Sequence, residues 1–221
     1  MRQILPYILL LIVTPYLLNQ ARKPTRWIGR FFVWLMNNSH SGVTDWGLKH
    51  VQIEKGFTIL DAGCGGGGTI QKMAAIATEG MLYGIDYAEG SVAVSSGKNS
   101  QLVKEGRVDI RKASVSQLPF LDDKFDLVTA VETQYYWPDL VKDMQEIRRV
   151  LKPGGTLVII AESYKGGRYY LAHWPVMRLL RSSLLSVDEH RELFSTAGYT
   201  DVQMFEERSK GWFCGTGRKP L

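Results

Sequence analysis

The stretch that decides the fold is Ile59-Leu60-Asp61-Ala62-Gly63-Cys64-Gly65-Gly66-Gly67-Gly68-Thr69-Ile70. An apolar, β-prone run ends in an acid, passes into a glycine-rich turn and opens a helix. Glycines let the backbone turn tightly and approach a ligand closely, and the helix start offers free N–H donors. Gly63, Gly65 and Gly68 satisfy the G-x-G-x-x-G spacing, which is informative in a strand–turn–helix setting and otherwise marks only a tight turn. Asp86 closes the next apolar run, Met81 to Asp86. An acid there accepts the hydroxyls of a ribose; the bland alternative is a solvated strand-end carboxylate.

Outward from this core, unalternating apolar runs and helix-like segments take turns along the chain. Strands are expected over 57–62, 81–86, 107–112, 125–131, 156–161, 200–206 and 211–217, and helices over 69–77, 89–104, 139–151 and 187–197. Runs without polar alternation, joined by crossover helices, predict a parallel α/β sheet covered on both faces. The link between the last two strands, Glu207-Arg208-Ser209-Lys210, is too short for a parallel return, so that pair is antiparallel. Residues 162–186, dense in aromatic and basic side chains, follow the fifth strand and read as a substrate-side insertion, because ligands sit beyond the carboxyl ends of parallel strands.

At 221 residues, 45% hydrophobic and 22% charged, the chain has room for one ordinary globular domain and is not a disordered one. Cys64 and Cys214 stand too far apart in sequence for a disulfide scaffold or a zinc site of their own, so a reduced, cytoplasmic protein without a structural metal is expected. The net charge of +5 is local. Nine of the 27 basic residues lie in residues 1–44 and 163–187, which carry none of the 22 acids. Neither segment resembles a base-reading module, so no nucleic-acid partner is expected, whereas anionic lipid or an acidic small molecule remains compatible.

The N-terminus divides from the rest. Ile4 to Leu18 is almost wholly apolar and is followed at once by Arg22 and Lys23. As a helix it reaches roughly 22 Å, short of the ~30 Å hydrocarbon core, and Pro15 breaks its far end. A membrane-dipping anchor, a helix packed on the domain and a true span all fit. Basic residues beside the apolar run would set the body on the cytoplasmic face. Thr25 to Asn38 repeats aromatic and basic residues at helical spacing, which suits an interfacial helix or one covering the core. Residues 1–41 are therefore read as an N-terminal segment that is either a membrane anchor, in contact through residues 4–35, or a set of lid helices, and 42–221 as the main domain.

Several further motifs recur in a fixed order: Asp61 to Gly67, the Gly-Ile-Asp ending at Asp86, Ser116 to Phe120, Phe125 to Glu132, and Arg148 to Gly155. Together they resemble the class I S-adenosylmethionine-dependent methyltransferases, especially the small-molecule branch that includes the ubiquinone and menaquinone biosynthesis enzymes. The resemblance runs from about Gly42 to Arg218. It implies a Rossmann-like three-layer sandwich with a seven-stranded, mostly parallel sheet and an antiparallel last strand. It also implies S-adenosylmethionine as cofactor. Asp61, Gly63 and Gly65 would then surround the methionine part, Asp86 would hold the ribose and Tyr87 would flank the adenine, with Ser114, Val115 and Val131 completing the cofactor contacts. Ser114 is a departure. Many members carry an acid there for the adenine amino group, and a serine hydroxyl accepts that bond without charge assistance.

The run Val131 to Asp139 places Glu132, Gln134, Tyr135, Tyr136 and Trp137 where such a sheet opens its pocket. Polar tips on flat bodies suit a sulfonium and an apolar acceptor; ordinary wall packing is the other reading. Upstream, Thr44 or Asp45 reads as a helix N-cap, and His40 as either a surface histidine or a base at the cofactor mouth. The catalytic set expected is His40, Tyr135 and Glu132. A neutral hydroxyl or amine acceptor requires such a base, whereas a thiolate does not. His173 in the insertion ranks below His40, and Cys64 reads as a small spacer. The expected function is methyl transfer to a small, apolar acceptor by in-line displacement. A nicotinamide-dependent oxidoreductase and a non-catalytic, membrane-tethered cofactor binder are the alternatives.

Overall fold

The structure, a computed structural model, describes residues 40–179 and 182–221, apart from the side chains of His173 and Val176. The apolar run Ile4 to Leu18 and the aromatic-basic stretch Thr25 to Asn38 lie outside the described residues. Among the described residues no helix is long and apolar enough to cross a membrane.

Seven strands form one sheet: β1 (Ile59–Ala62), β2 (Leu82–Asp86), β3 (Val108–Lys112), β4 (Phe125–Val131), β5 (Leu151–Ala161), β6 (Thr200–Glu207) and β7 (Trp212–Arg218). Their order is β3-β2-β1-β4-β5-β7-β6. β1 pairs in parallel with β2 and β4, and β7 is antiparallel to both β5 and β6. The short link before β7 forces that reversal.

Helices α1 (Ser41–Gly47), α2 (Gly68–Ala74), α3 (Glu89–Lys98), α4 (Ser100–Lys104), α5 (Leu140–Val150), α6 (Tyr170–Leu179) and α7 (Val187–Thr196) flank the sheet. Successive strand residues feed opposite cores. Ile59, Leu127, Val158 and Ile160 pack with Val43, Ile70 and Met73 on one face. Leu60, Val128 and Ile159 pack with Met144, Ile147 and Phe194 on the other. Because both faces are covered, β1 is buried at every position and shows no alternation.

The structure departs from the sequence expectation in four places. The helix expected over 89–104 is broken at Asn99, where φ is −101° and ψ 19°. Its side-chain amide donates to the carbonyls of Ser95 at 2.9 Å and Gly67 at 3.1 Å, tying the helix end to the glycine turn. β5 begins five residues early because Leu151 pairs with Phe125 before a register shift restores the ladder at Leu127 and Thr156. α1 begins at Ser41, so Thr44 and Asp45 lie inside it and neither is its N-cap. The cap position is His40, whose carbonyl accepts the Thr44 N–H at 3.1 Å and the Thr44 hydroxyl at 2.8 Å. Finally, the insertion, expected as one irregular segment, carries the helix α6.

Candidate active site

The strand order reverses between β1 and β4, and an open sheet parts its loops beyond the carboxyl ends at such a point. A cavity of about 470 Å³ lies there. Gly63, Gly65, Asp86, Tyr87, Ser114, Val115 and Val131 line it, together with His40, Glu132, Tyr136 and Trp137.

At Gly63 the glycine turn leaves no room for a side chain. Gly63 has φ +85°, and a Cβ there would lie 2.2 Å from the Thr133 hydroxyl oxygen. The N–H groups of Gly63 and Cys64 both donate to the Ile85 carbonyl, at 2.9 and 2.8 Å, which locks the turn against the end of β2. Asp86 then braces it from the side. One carboxylate oxygen accepts the Gly65 N–H at 3.0 Å and the other the Ala88 N–H at 2.8 Å. Burial raises the Asp86 pKa above the usual carboxylate value, and the Ala88 and Gly65 N–H groups and the Ser91 hydroxyl oppose that shift. Ser114 is exposed, and its hydroxyl oxygen accepts the Ser116 N–H at 3.2 Å.

Two expected site residues do not line the cavity. Asp61 is 1% exposed and lies behind the glycine turn, where it accepts the Thr129 hydroxyl at 2.8 Å. Burial, with the charge of Asp86 adding to it, pushes its carboxyl up to about 7 against that hydrogen bond. Tyr135 is 3% exposed and stands behind Glu132. Cys64 is buried, and burial holds its thiol well above the usual range, which suits a spacer.

The Asp61 environment has a consequence for stability. A carboxyl whose folded pKa is raised holds its proton in the folded state, so stability falls as pH rises from the unfolded value toward about 7. Asp61→Asn keeps the acceptor for Thr129 and removes the charge. Its stability relative to wild type is expected to improve by on the order of 2 kcal/mol between about pH 5 and about pH 8. Denaturant midpoints at the two pH values measure this, and a pH-independent difference would show that Asp61 does not titrate so high.

The other half of the site is a hydrogen-bonded cluster of acids around His40. Gly47 makes it possible: a Cβ there would lie 2.5 Å from Ile160, so only glycine lets α1 settle on β5 and bring His40 to the strand ends. His40 Nδ1 is 3.2 Å from Glu162 Oε2. Glu132 follows β4 with φ +56°, an uncommon conformation for a non-glycine residue, which turns its carboxylate back toward the end of β5. That carboxylate accepts the Glu162 N–H and, at 3.3 Å to each oxygen, the Tyr135 hydroxyl. The Tyr135 oxygen in turn accepts the Ser163 N–H at 3.1 Å. One donor atom each from His40, Glu132 and Glu162 lies within 4.8 Å of the others.

The charges interact. Burial pushes the Glu132 carboxyl up to about 7; the charge on His40 opposes this and the charge on Glu162 adds to it. For His40, burial lowers the pKa, but the hydrogen bond to Glu162 and the charges of Glu132 and Glu162 outweigh it, and the net shift is upward. Burial drives the Tyr135 hydroxyl far above its usual value, so this group holds its proton.

Sequence reasoning missed Glu162, although the signal was present: it closes a buried parallel strand as Asp86 does. It also missed Lys72 and Thr133, which line the cavity; Lys72 is ion-paired to Asp45. The insertion 162–186 supplies no side chain to the cavity lining among the described residues, although the Ser183 N–H donates to the Tyr135 carbonyl at 2.9 Å. The side chain of His173 lies outside the described residues.

A doubly wound sheet with a reversed final strand, a glycine turn after β1 and an acid ending β2 define a nucleotide-type cofactor fold of the methyltransferase class. Residues 60–159 match the family model of a methyltransferase domain. A demethylmenaquinone methyltransferase of Geobacillus kaustophilus is 30% identical over 183 residues, covering 71% of this chain and 76% of its own. A sterol 4-C-methyltransferase of Caenorhabditis elegans is 32% identical over 111 residues, covering 50% of this chain and 33% of its own. A solved S-adenosylmethionine-dependent methyltransferase of Aquifex aeolicus superposes with a TM-score of 0.70 at 20% identity, over 86% of this chain and 98% of that one. The chain belongs to the class I S-adenosylmethionine-dependent methyltransferases. It is an enzyme that transfers the methyl group of S-adenosylmethionine to a small-molecule acceptor, and neither alternative class finds support.

The residues present suit that cofactor. Gly65 has no atom within 4 Å of where a Cβ would stand. The Asp86 carboxylate borders the cavity beside it, with apolar Ile85, Val115 and Val131 in the same lining. An open backbone, a strand-end anion and apolar walls are what an adenosine with free ribose hydroxyls requires.

Proposed function

We propose that this enzyme methylates a flat, largely apolar acceptor whose nucleophilic atom gains its electron pair by losing a proton, with His40 as the base. The observation that carries the reading is the His40–Glu162–Glu132–Tyr135 network on the acceptor side of the cofactor cavity. When bound, the cofactor supplies an activated, sulfonium-bound methyl group. Gly63, Gly65, Asp86, Tyr87, Ser114, Val115 and Val131 hold it, with Asp86 accepting ribose hydroxyls. Asp61 acts from behind the turn, keeping Thr129 and the end of β1 in place. Glu162 engages Nδ1 of His40 and so leaves Nε2 to take the acceptor's proton. Glu132 offsets the charge that His40 gains, and Tyr135, itself protonated, fixes the Glu132 carboxylate. Positioning does most of the remaining work. The similarity to enzymes named for demethylmenaquinone and for a sterol supports a quinol-like or other lipid-like acceptor. Residues 4–35 are proposed to hold the protein at the cytoplasmic face of a membrane, where such acceptors dissolve.

The test is label transfer from methyl-labelled S-adenosylmethionine to a panel of demethylated quinols, phenols, lipid amines and thiols. Transfer to quinols or phenols is expected, undiminished by a chelator. Transfer to thiols alone would sink the base assignment, and loss with chelator would make the cluster a metal site.

Glu162→Gln keeps a hydrogen-bonding partner for His40 and removes the charge that raises its pKa. A base must be neutral, so activity rises with pH through the His40 pKa. In the variant the rising limb of log kcat/KM is expected to move to lower pH by about one unit, with cofactor affinity unchanged. An unmoved limb would assign the base elsewhere.

A further inference from the structure

Among the described residues the outer face of α6 is apolar and open. Leu171 is 84% exposed, Leu179 56% and Trp174 41%. At helical spacing these three and Arg178 share one side, while Met177 turns inward to the core. The bases around the stripe have few acids beside them. Arg178 lies over the Trp174 ring at 5.2 Å, and Arg168 bonds the Ser209 carbonyl and lies 5.5 Å from the Tyr169 ring. The turn between β6 and β7 packs against this segment at Gly211 and Tyr169 and adds Lys210, which lies over Trp212 at 4.3 Å. Lys165 is paired with Glu189, and Arg208 with Glu206, so these two contribute little. Residues 163–187 hold no acid at all.

We propose that this face docks on an anionic lipid bilayer, with Leu171, Trp174 and Leu179 entering the headgroup boundary and Arg168, Arg178 and Lys210 meeting lipid phosphates. Tryptophan and leucine flanked by arginine is the composition of an interfacial helix, and the local charge is complementary to anionic headgroups. The chain just after α6 is bonded to the turn that carries Tyr136 into the cavity wall, through the Ser183 N–H and the Tyr135 carbonyl. The proposal rests on the membrane-face reading above and deepens it, but it concerns α6 and not the segment 4–35.

The test reads α6 alone. A nitroxide on full-length Leu171→Cys is followed by power saturation with oxygen and with a water-soluble nickel chelate; native Cys64 and Cys214 are buried. With phosphatidylcholine–phosphatidylglycerol vesicles, the ratio of oxygen to nickel accessibility is expected to rise at least about threefold. A nitroxide on Leu121→Cys, 83% exposed before the start of β4, is expected not to change. Leu179→Cys repeats the measurement on the same face. No change at either α6 position while the protein sediments with vesicles would mean docking through the N-terminal segment alone and overturn the proposal. So would an equal rise on pure phosphatidylcholine, or shelter that appears with protein concentration in the absence of lipid, which would assign the face to a second copy. Label transfer to a soluble acceptor is unaffected by either result, so failure here leaves the catalytic reading standing.

Discussion

Asp86→Ala is expected to weaken S-adenosylhomocysteine binding by tenfold or more. The carboxylate offers charge-assisted acceptance to ribose hydroxyls, and losing such a partner costs about 1.5–3 kcal/mol. The structure adds a second reason. Asp86 also accepts the Gly65 and Ala88 N–H groups, so its removal leaves the glycine turn unbraced at the wall of the cavity. Asp86→Asn is expected to fall between Asp86→Ala and wild type, because its amide oxygen keeps one of the two N–H braces while the charge and the second brace are lost. Ser114→Ala is expected to do less than either, since that hydroxyl is exposed and already accepts the Ser116 N–H. Isothermal titration on the three variants decides. Equal losses at Asp86 and Ser114, or none at Asp86, would refute the ribose assignment.

His40→Ala is expected to lower kcat by about 10²–10⁴ while leaving S-adenosylhomocysteine affinity within about threefold. The range is that of a removed general base, and the selectivity follows from position. His40 caps α1 and bonds Glu162, whereas Asp86 bonds the glycine turn after β1. Glu132→Gln should also slow turnover, because it removes a charge that, with that of Glu162, stabilises a protonated His40. That variant keeps an acceptor for the Glu162 N–H and the Tyr135 hydroxyl, so its fold is preserved. Acceptor kinetics and cofactor titration on the same preparations provide the check. Full turnover by His40→Ala on a verified acceptor would return His40 to the status of a pocket-wall residue.

The difference between those two groups of residues is also the difference between what the sequence shows and what only the packing brings together. Asp86 and the Gly63–Gly65 turn were legible because strand, turn and helix are contiguous, and their chemistry is local: a few residues shape the backbone that meets the ligand. The base cluster is not local. His40, Glu132 and Glu162 lie up to 122 positions apart and meet only when α1 packs on β5 and the ends of β4 and β5 come level. Tyr135 illustrates the limit. Its place in an aromatic run suggested a substrate contact, but the 3₁₀ turn Gln134–Tyr136 buries it behind Glu132 and presents Tyr136 to the cavity.

What the sequence determined by itself was the succession of strands, the parallel sheet and the reversed last strand. Apolar runs without alternation, crossover lengths and one four-residue link admit little else. The glycine turn and the acid ending β2 likewise announced a nucleotide-type cofactor. The tertiary structure alone decided which polar groups face solvent, cavity or core, because burial depends on what packs from the other side of the chain. It withdrew Asp61 and Tyr135 from the cavity, joined Glu162 to His40, and left the apolar stripe of α6 open on the surface. Charge and pKa follow from that packing: a carboxylate buried beside another acid is held near neutrality, and the same residue type on an open face is not.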